Sequence, residues 1–271
     1  MGERIVVVGA GMAGLACALA LSGPDREVVV LDRDPAPGGN VETAFRDWER
    51  KGVTQLRHSH VFLGRLYCLI RDKYPELLAE LKAAGAREWT FADGVPKTLK
   101  DEYVPAPGDD DLTILFSRRT TFEFLIRKFA ERRAGVTFRT NAAVKGLLTE
   151  RREDRLHVTG VEIAGEAAPE TLTASIVVDA TGRNSQFPEQ LAALGAALPY
   201  EEHPAGILYF TRHYRLRDGV PEPERGDIPG AGDLGYLKYG VFNADNRHFS
   251  LTLAVPEIET ALRTAIPRPD V

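Results

Sequence analysis

The sequence predicts an α/β fold, with a parallel sheet wound with helices followed by part of an antiparallel sheet. Three observations predict it. The 271-residue chain opens with a β-branched run, a glycine turn and a helix rich in Ala and Leu. A second apolar strand follows at Glu27–Leu31, and a third returns at Ile176-Val177-Val178-Asp179 after a β-rich stretch. From Ile207 onward, alternating segments separated by turn residues read as antiparallel strands.

The opening run must first be separated from a membrane or export segment. A spanning helix needs about 20 apolar residues. Ile5–Leu21 is shorter and contains Gly9, Gly11 and Gly14. Glu3 offsets Arg4, and a charged turn, Asp25-Arg26-Glu27, leads directly into the next strand, which is no signal-peptide pattern. The bulk composition agrees: 44% apolar and 27% charged residues are ordinary for a soluble chain. A net charge of −5 offers no general attraction for nucleic acid or an anionic membrane. Cys17 and Cys68 make no disulfide framework and no C-x-x-C, so both are expected as buried small apolar residues in a cytoplasmic protein.

Gly9-Ala10-Gly11-Met12-Ala13-Gly14 is G-x-G-x-x-G between a strand and a helix. Gly9 permits the tight turn, Gly11 admits a pyrophosphate against the backbone, and Gly14 lets the helix pack on the strand. The helix N-terminus adds N–H donors and a positive dipole end. Asp32 closes the second strand near the expected spacing, where a carboxylate accepts from ribose hydroxyls. Arg33 follows and could read a 2′-phosphate, which Asp32 would repel. The unit is therefore Rossmann-like and dinucleotide-binding, the plainer alternative being a βαβ unit with no ligand.

The β-rich middle comprises Val136–Arg139, Ala143–Thr149, Leu156–Ile163 and Glu170–Leu172, ahead of Asp179-Ala180-Thr181-Gly182. With these residues in place the chain resembles the FAD-dependent monooxygenases, the family of aromatic hydroxylases, epoxidases and flavin halogenases. The resemblance covers roughly residues 4–195. It implies that Gly9–Gly14 hold the FAD pyrophosphate, that Asp32 binds the adenosine ribose, and that the Val144 backbone lies beside adenine. It implies further that Asp179 to Gly182 pass near the adenosine end. Two softer stretches also resemble the family, Gly52-Val53-Thr54-Gln55-Leu56-Arg57-His58-Ser59-His60 and Ser117-Arg118-Arg119-Thr120-Thr121-Phe122-Glu123. The resemblance places Gln55 and His58 along the ribityl side and Arg119 or Arg118 near the flavin.

One family signature has no counterpart, a strand running into Gly-Asp ahead of a flavin-facing helix. Gly226-Asp227 follows Pro-Glu-Pro-Glu-Arg, and Gly232-Asp233 reads as a glycine-rich turn. The expectation is a chain truncated before that motif, with an FAD-binding domain over 1–195, a helical insertion at about 53–133, and a partial substrate sheet over 196–271. The expected strands there are Ile207–Leu216, Leu234–Phe242 and Phe249–Val255.

Smaller features read plainly. His58 and His60 lack a third metal ligand, so no metal site is expected, and a satisfied loop histidine competes with a flavin or substrate contact at His58. Asp109-Asp110-Asp111 reads as a solvated loop and Pro75–Ala84 as a surface helix. No catalytic acid or base is assigned, because the flavin carries the redox chemistry. The resemblance implies a monooxygenase using NAD(P)H and O2 on a small hydrophobic organic substrate. A flavin-dependent reductase or halogenase, or a non-catalytic nucleotide-binding remnant, are the alternatives.

Overall fold

The computed structural model describes residues 2–165, 168–223 and 230–268, which leaves Gly226-Asp227 outside the described residues. The predicted α/β fold, with one parallel sheet and further antiparallel sheets, is present. The chain divides into two compact units, residues 1–54 with 123–202 and residues 55–122 with 203–271. Among the described residues no helix is long and apolar enough to cross a membrane.

The first unit is built on a four-stranded parallel sheet. Strand β1 (Glu3–Val8) lies between strand β2 (Arg26–Leu31) and the returning strand Ile176–Asp179, and Val136–Arg139 adds the far edge beside β2. The register pairs Ile5 to Val8 with Val28 to Leu31 on one side and with Ile176 to Asp179 on the other. Continuous β-branched runs suit a parallel strand buried on both faces. Accordingly, Ile5, Val6, Val7, Val28 and Val30 are wholly buried. Helix α1 (Met12–Leu21) seals one face through Gly14, Leu15, Ala18 and Leu19, which fall on one side at helical spacing.

The other face carries an antiparallel meander of Val144–Arg152, Arg155–Ile163 and Glu170–Thr173. Val6, Val8, Val29 and Leu31 pack there against Val161, Ile163 and Phe187. Burying each such side chain contributes roughly 1.5–3 kcal/mol. These predicted strands agree with the observed ones to within a few residues at each end.

The second unit contains the antiparallel sheet formed in the order Ile207–Arg215, His248–Pro256, Lys238–Asn243 and Ala231–Asp233. It also holds a three-stranded sheet of Val61–Phe62, Ile114–Phe116 and Arg87–Trp89, and the helices Gly64–Lys73 and Pro75–Ala83. Residues 55–122, which make up most of the helical insertion expected at about 53–133, group with residues 203–271. Polar ties explain this. Ser59 Oγ reaches Ser250 Oγ and Thr252 Oγ1, both at 2.6 Å. Asp245 accepts from Arg118 Nη2 at 2.6 Å, from the Arg118 backbone N–H at 2.6 Å and from Thr121 Oγ1 at 2.8 Å. The Arg118–Asp245 pair is almost fully dry, at 1% and 0% side-chain exposure.

Four expectations need correction. The single strand expected at Leu234–Phe242 is instead a turn followed by Lys238–Asn243. Gly235 has φ +85°, outside the extended region of a regular strand, and its N–H is held by Asp233 Oδ1 at 2.9 Å. Gly232-Asp233 accordingly ends a short strand, Ala231–Asp233, rather than lying within a turn. Asp109–Leu112 is largely exposed, as expected of a solvated segment, but forms a 3-10 turn rather than an irregular loop: Tyr103 and the Ala106 N–H both donate to Asp109, and Arg71 pairs with Asp111 at 3.0 Å. Cys17 and Cys68 are free and only half-buried, the Cys68 thiol lying 3.5 Å from the Asp111 carbonyl.

Removing one partner of a dry pair leaves the other charge unsolvated, at a cost of about 3–5 kcal/mol. Asp245→Ala is therefore expected to lower stability by about that amount, measured by urea denaturation. A loss below about 0.5 kcal/mol, the size of an exposed-pair effect, would show that Arg118 finds another partner.

Candidate functional site

The parallel strands of the first unit end together, and the loops after them converge. Gly9 leaves β1 with φ +104°, a value only glycine adopts without strain. A Cβ at Gly9 would meet the Ala180 carbonyl, and one at Gly14 would overlap the Gly9 carbonyl oxygen. The turn, the first residues of α1 and the Asp179–Gly182 loop are therefore in backbone contact. Gly11 differs, because a Cβ there would meet no atom within 4 Å. Its backbone faces open space at the start of α1. That helix has no side-chain cap and no acidic residue in its first turn. The early N–H groups of a helix have no intrahelical acceptor, so the donors around Met12 and Ala13 are offered to whatever occupies that space. The cradle fits a pyrophosphate in shape and in charge.

Asp32 sits at the end of β2 and is buried. Its Oδ2 accepts from the Ala10 N–H at 2.7 Å and from Arg50 Nη2, while Oδ1 accepts from the Asp34 N–H at 2.8 Å. A carboxylate offers about four lone-pair positions. Oδ1 keeps one, suited to a ribose hydroxyl. Arg33 is exposed, with its guanidinium over Gly52. The strand beginning at Val144 reaches this corner because the Ala142 N–H donates to the Asp32 carbonyl at 2.9 Å. A bulge follows between Val144 and Gly146 and is held by Gln190, which donates to the Lys145 carbonyl at 3.1 Å and accepts from the Leu147 N–H at 3.2 Å. Asp179 is exposed, but its carboxylate is engaged inside its own turn by Thr181 and Ser185. It shapes the Thr181-Gly182 loop, and Gly182 takes φ +84° with open space around it.

Arg50 organises this corner. Nη1 donates to the Ala10 carbonyl at 2.8 Å and to Glu123, Nη2 donates to Asp32, and Nε lies 3.7 Å from Asp34. The guanidinium also lies over the Trp48 ring at 5.2 Å. All four charged residues are buried. One planar fork thus joins the glycine turn, the β2 terminus and the helix Arg119–Glu131. Sequence reasoning did not single out Arg50, Asp34 or Glu123. A signal was present for Glu123: an acid flanked by Phe122 and Phe124 must pair if it is buried.

Gln55, His58 and Arg119 belong to the second unit. Gln55 is exposed, and its carbonyl accepts from the His58 N–H at 3.1 Å. His58 Nδ1 lies 3.3 Å from Thr211 Oγ1. His60 Nδ1 donates to the His58 carbonyl at 2.9 Å, which leaves Nε2 as an acceptor for Arg119 Nη1 at 3.3 Å. His213 Nε2 donates to the Arg57 carbonyl at 2.9 Å. The loop is thus pinned by neutral imidazoles. Burial pushes His58, His60 and His213 below the ordinary value of 6.5, and Arg119 pushes His60 further the same way.

The family described as FAD dependent oxidoreductase matches residues 4–185, which include the glycine turn, Asp32, Arg50, Glu123 and the Asp179–Gly182 loop. Protein Rv3254 of Mycobacterium tuberculosis is 27% identical over 236 residues, covering 80% of this chain and 46% of that protein. The chain thus spans about half the length of that curated relative. PqsL of Pseudomonas aeruginosa, described as a probable FAD-dependent monooxygenase, has a similar fold with a TM-score of 0.65 at 14% identity, covering 96% of this chain and 62% of its own. The myxobacterial FAD-dependent halogenase CndH superposes with a TM-score of 0.64 at 16% identity, covering 97% of this chain and 55% of its own.

Arg50→Met would leave Asp32 and Glu123 buried without their cation, so a loss of about 3–5 kcal/mol is expected in guanidinium denaturation. Arg50→Lys is expected to recover only part, because an ammonium cannot span the fork. Equal stability of Arg50→Lys and wild type would refute the bridging role. The histidines set a pH dependence. Their folded pKa values lie below 6.5, so the unfolded chain binds protons first as pH falls. Stability is expected to be full above 6.5 and to decline below it towards the folded values, and His60→Asn should flatten that slope in melting curves taken across pH. A slope identical to wild type would place its origin elsewhere.

Proposed function

The chain belongs to the FAD dependent oxidoreductase family, and on that footing we propose that it binds FAD and serves a monooxygenase-type reaction. In this reading NAD(P)H supplies two electrons, and one atom of O2 enters a small hydrophobic organic substrate while the other leaves as water. One observation carries the reading: the uncapped start of α1 faces open space at Gly11, beside a buried carboxylate with one acceptor position left.

The chain's own residues have defined tasks in this proposal. The N–H groups at the α1 N-terminus hold the pyrophosphate, with Gly9 and Gly14 setting the loop and Gly11 leaving the approach clear. Asp32 Oδ1 accepts from the adenosine ribose, and the buried Asp32 charge would repel a 2′-phosphate there. Arg50, which donates to Asp32 and to the Ala10 carbonyl, holds that carboxylate in place. The start of the Val144 strand offers backbone groups to adenine, and the Thr181-Gly182 loop flanks the same end. When bound, FAD supplies the electron transfer and oxygen chemistry. For Gln55, His58 and Arg119 the proposal rests on the sequence resemblance.

The test separates binding from folding. Gly11 has an ordinary negative φ of −77° and no neighbour for a Cβ, so Gly11→Val should leave the melting temperature of the apoprotein unchanged. A side chain there fills the phosphate space and removes two or so hydrogen bonds, so FAD affinity is expected to fall about 100-fold. Titration of apoprotein with FAD, followed by flavin fluorescence, measures it. Unaltered affinity in Gly11→Val, or no FAD binding by the wild type, would sink the proposal. NAD(P)H oxidation coupled to O2 uptake, with incorporation of labelled oxygen into an organic product, tests the reaction.

A further inference from the structure

A cavity lined by residues between 89 and 114 lies in the second unit, with a volume of roughly 600 Å³. That is within the ~300–1,000 Å³ range of small-molecule sites. Its walls come from several elements in succession. Trp89 and Ile114 are paired across adjacent strands and form the floor. Phe91 and Tyr103 form one side as a tilted ring pair with centroids 5.8 Å apart. Leu99 and Leu112 close the rim from two 3-10 turns.

Three of the polar side chains in and beside the lining are engaged by the protein itself. The Tyr103 hydroxyl donates to Asp109, and Thr90 and Asp93 form a reciprocal cap. What remains is apolar surface that the fold leaves in water: Phe91, Leu99 and Leu112 are 43%, 51% and 54% exposed around this one cavity. The setting is also acidic. Residues 89–114 contain six carboxylates and two lysines, and Glu102 stands in the lining itself. Like charge disfavours an anion beside these carboxylates.

We propose that this cavity is a binding site for a small ring-bearing apolar molecule that is neutral or cationic. The aromatic walls supply stacking and dispersion contacts, and cations gain from both ring faces and Glu102. None of its lining residues belongs to the dinucleotide corner.

The experiment compares two fluorescent probes that share one skeleton, N-phenyl-1-naphthylamine and its sulfonate, 1-anilinonaphthalene-8-sulfonate. The full chain is expected to bind the neutral probe saturably with one-to-one stoichiometry, about tenfold more tightly than the anionic one. Leu99→Asp, at an exposed rim position, should weaken the neutral probe about tenfold. Val241→Asp, on the exposed face of the antiparallel sheet, should leave it unchanged. Glu102→Lys should shift the preference towards the sulfonate, which serves as the readout if Leu99→Asp does not fold. Non-saturable binding, equal affinity for both probes, or indifference to Leu99→Asp and Glu102→Lys would overturn the proposal. So would sedimentation showing a dimer that excludes the probe and that Leu99→Asp dissociates, since the occupant would then be a second copy.

Discussion

The first unit depends on the bond set made by one buried arginine. Arg50 meets a carbonyl from the glycine turn, a carboxylate from the end of β2 and a carboxylate on the helix Arg119–Glu131. Each of these groups would carry a large desolvation cost if unpaired. Because the guanidinium is planar and its donors are fixed, satisfying all of them sets the positions of three chain segments at once. The open cradle at Gly11 is a consequence. Asp32 is held back by Ala10 and Arg50, so it does not cap α1 itself, and the helix donors stay available.

The second unit solves a related problem in another way. Its loop from Gln55 to His60 is tied by hydroxyl contacts and imidazoles, and Asp245 receives Arg118 in a site closed to water. These polar ties account for residues 55–122 packing with residues far away in sequence. Such a layer is costly unless every member is partnered, and its neutral histidines make it sensitive to acid. The same unit carries an aromatic-walled cavity in an acidic stretch.

Much of the fold was legible because burial in a parallel sheet demands continuous β-branched runs. Ile5–Val8, Val28–Leu31 and Ile176–Val178 could hardly be anything else. The glycine spacing was legible for a similar reason: Gly9 and Gly14 stand where any Cβ would collide with backbone. The strand expected over Leu234–Phe242 went astray because an alternating pattern does not reveal a glycine at positive φ inside it. Gly232-Asp233 was misread for the complementary reason, since pairing to Lys238–Asn243 makes a strand of residues that favour turns.

The sequence alone determined the α/β class, the βαβ unit, the glycine cradle and the candidacy of Asp32. All of these follow from local spacing and sterics, which act within a few residues. Only the tertiary structure decided that Arg50 and Glu123 complete the corner, that Asp179 is engaged in its own turn, and that the segment after Thr54 packs with the antiparallel sheet. Those outcomes depend on which charges meet after collapse. A buried charge can be satisfied by any partner the fold brings within reach, and spacing along the chain does not name that partner.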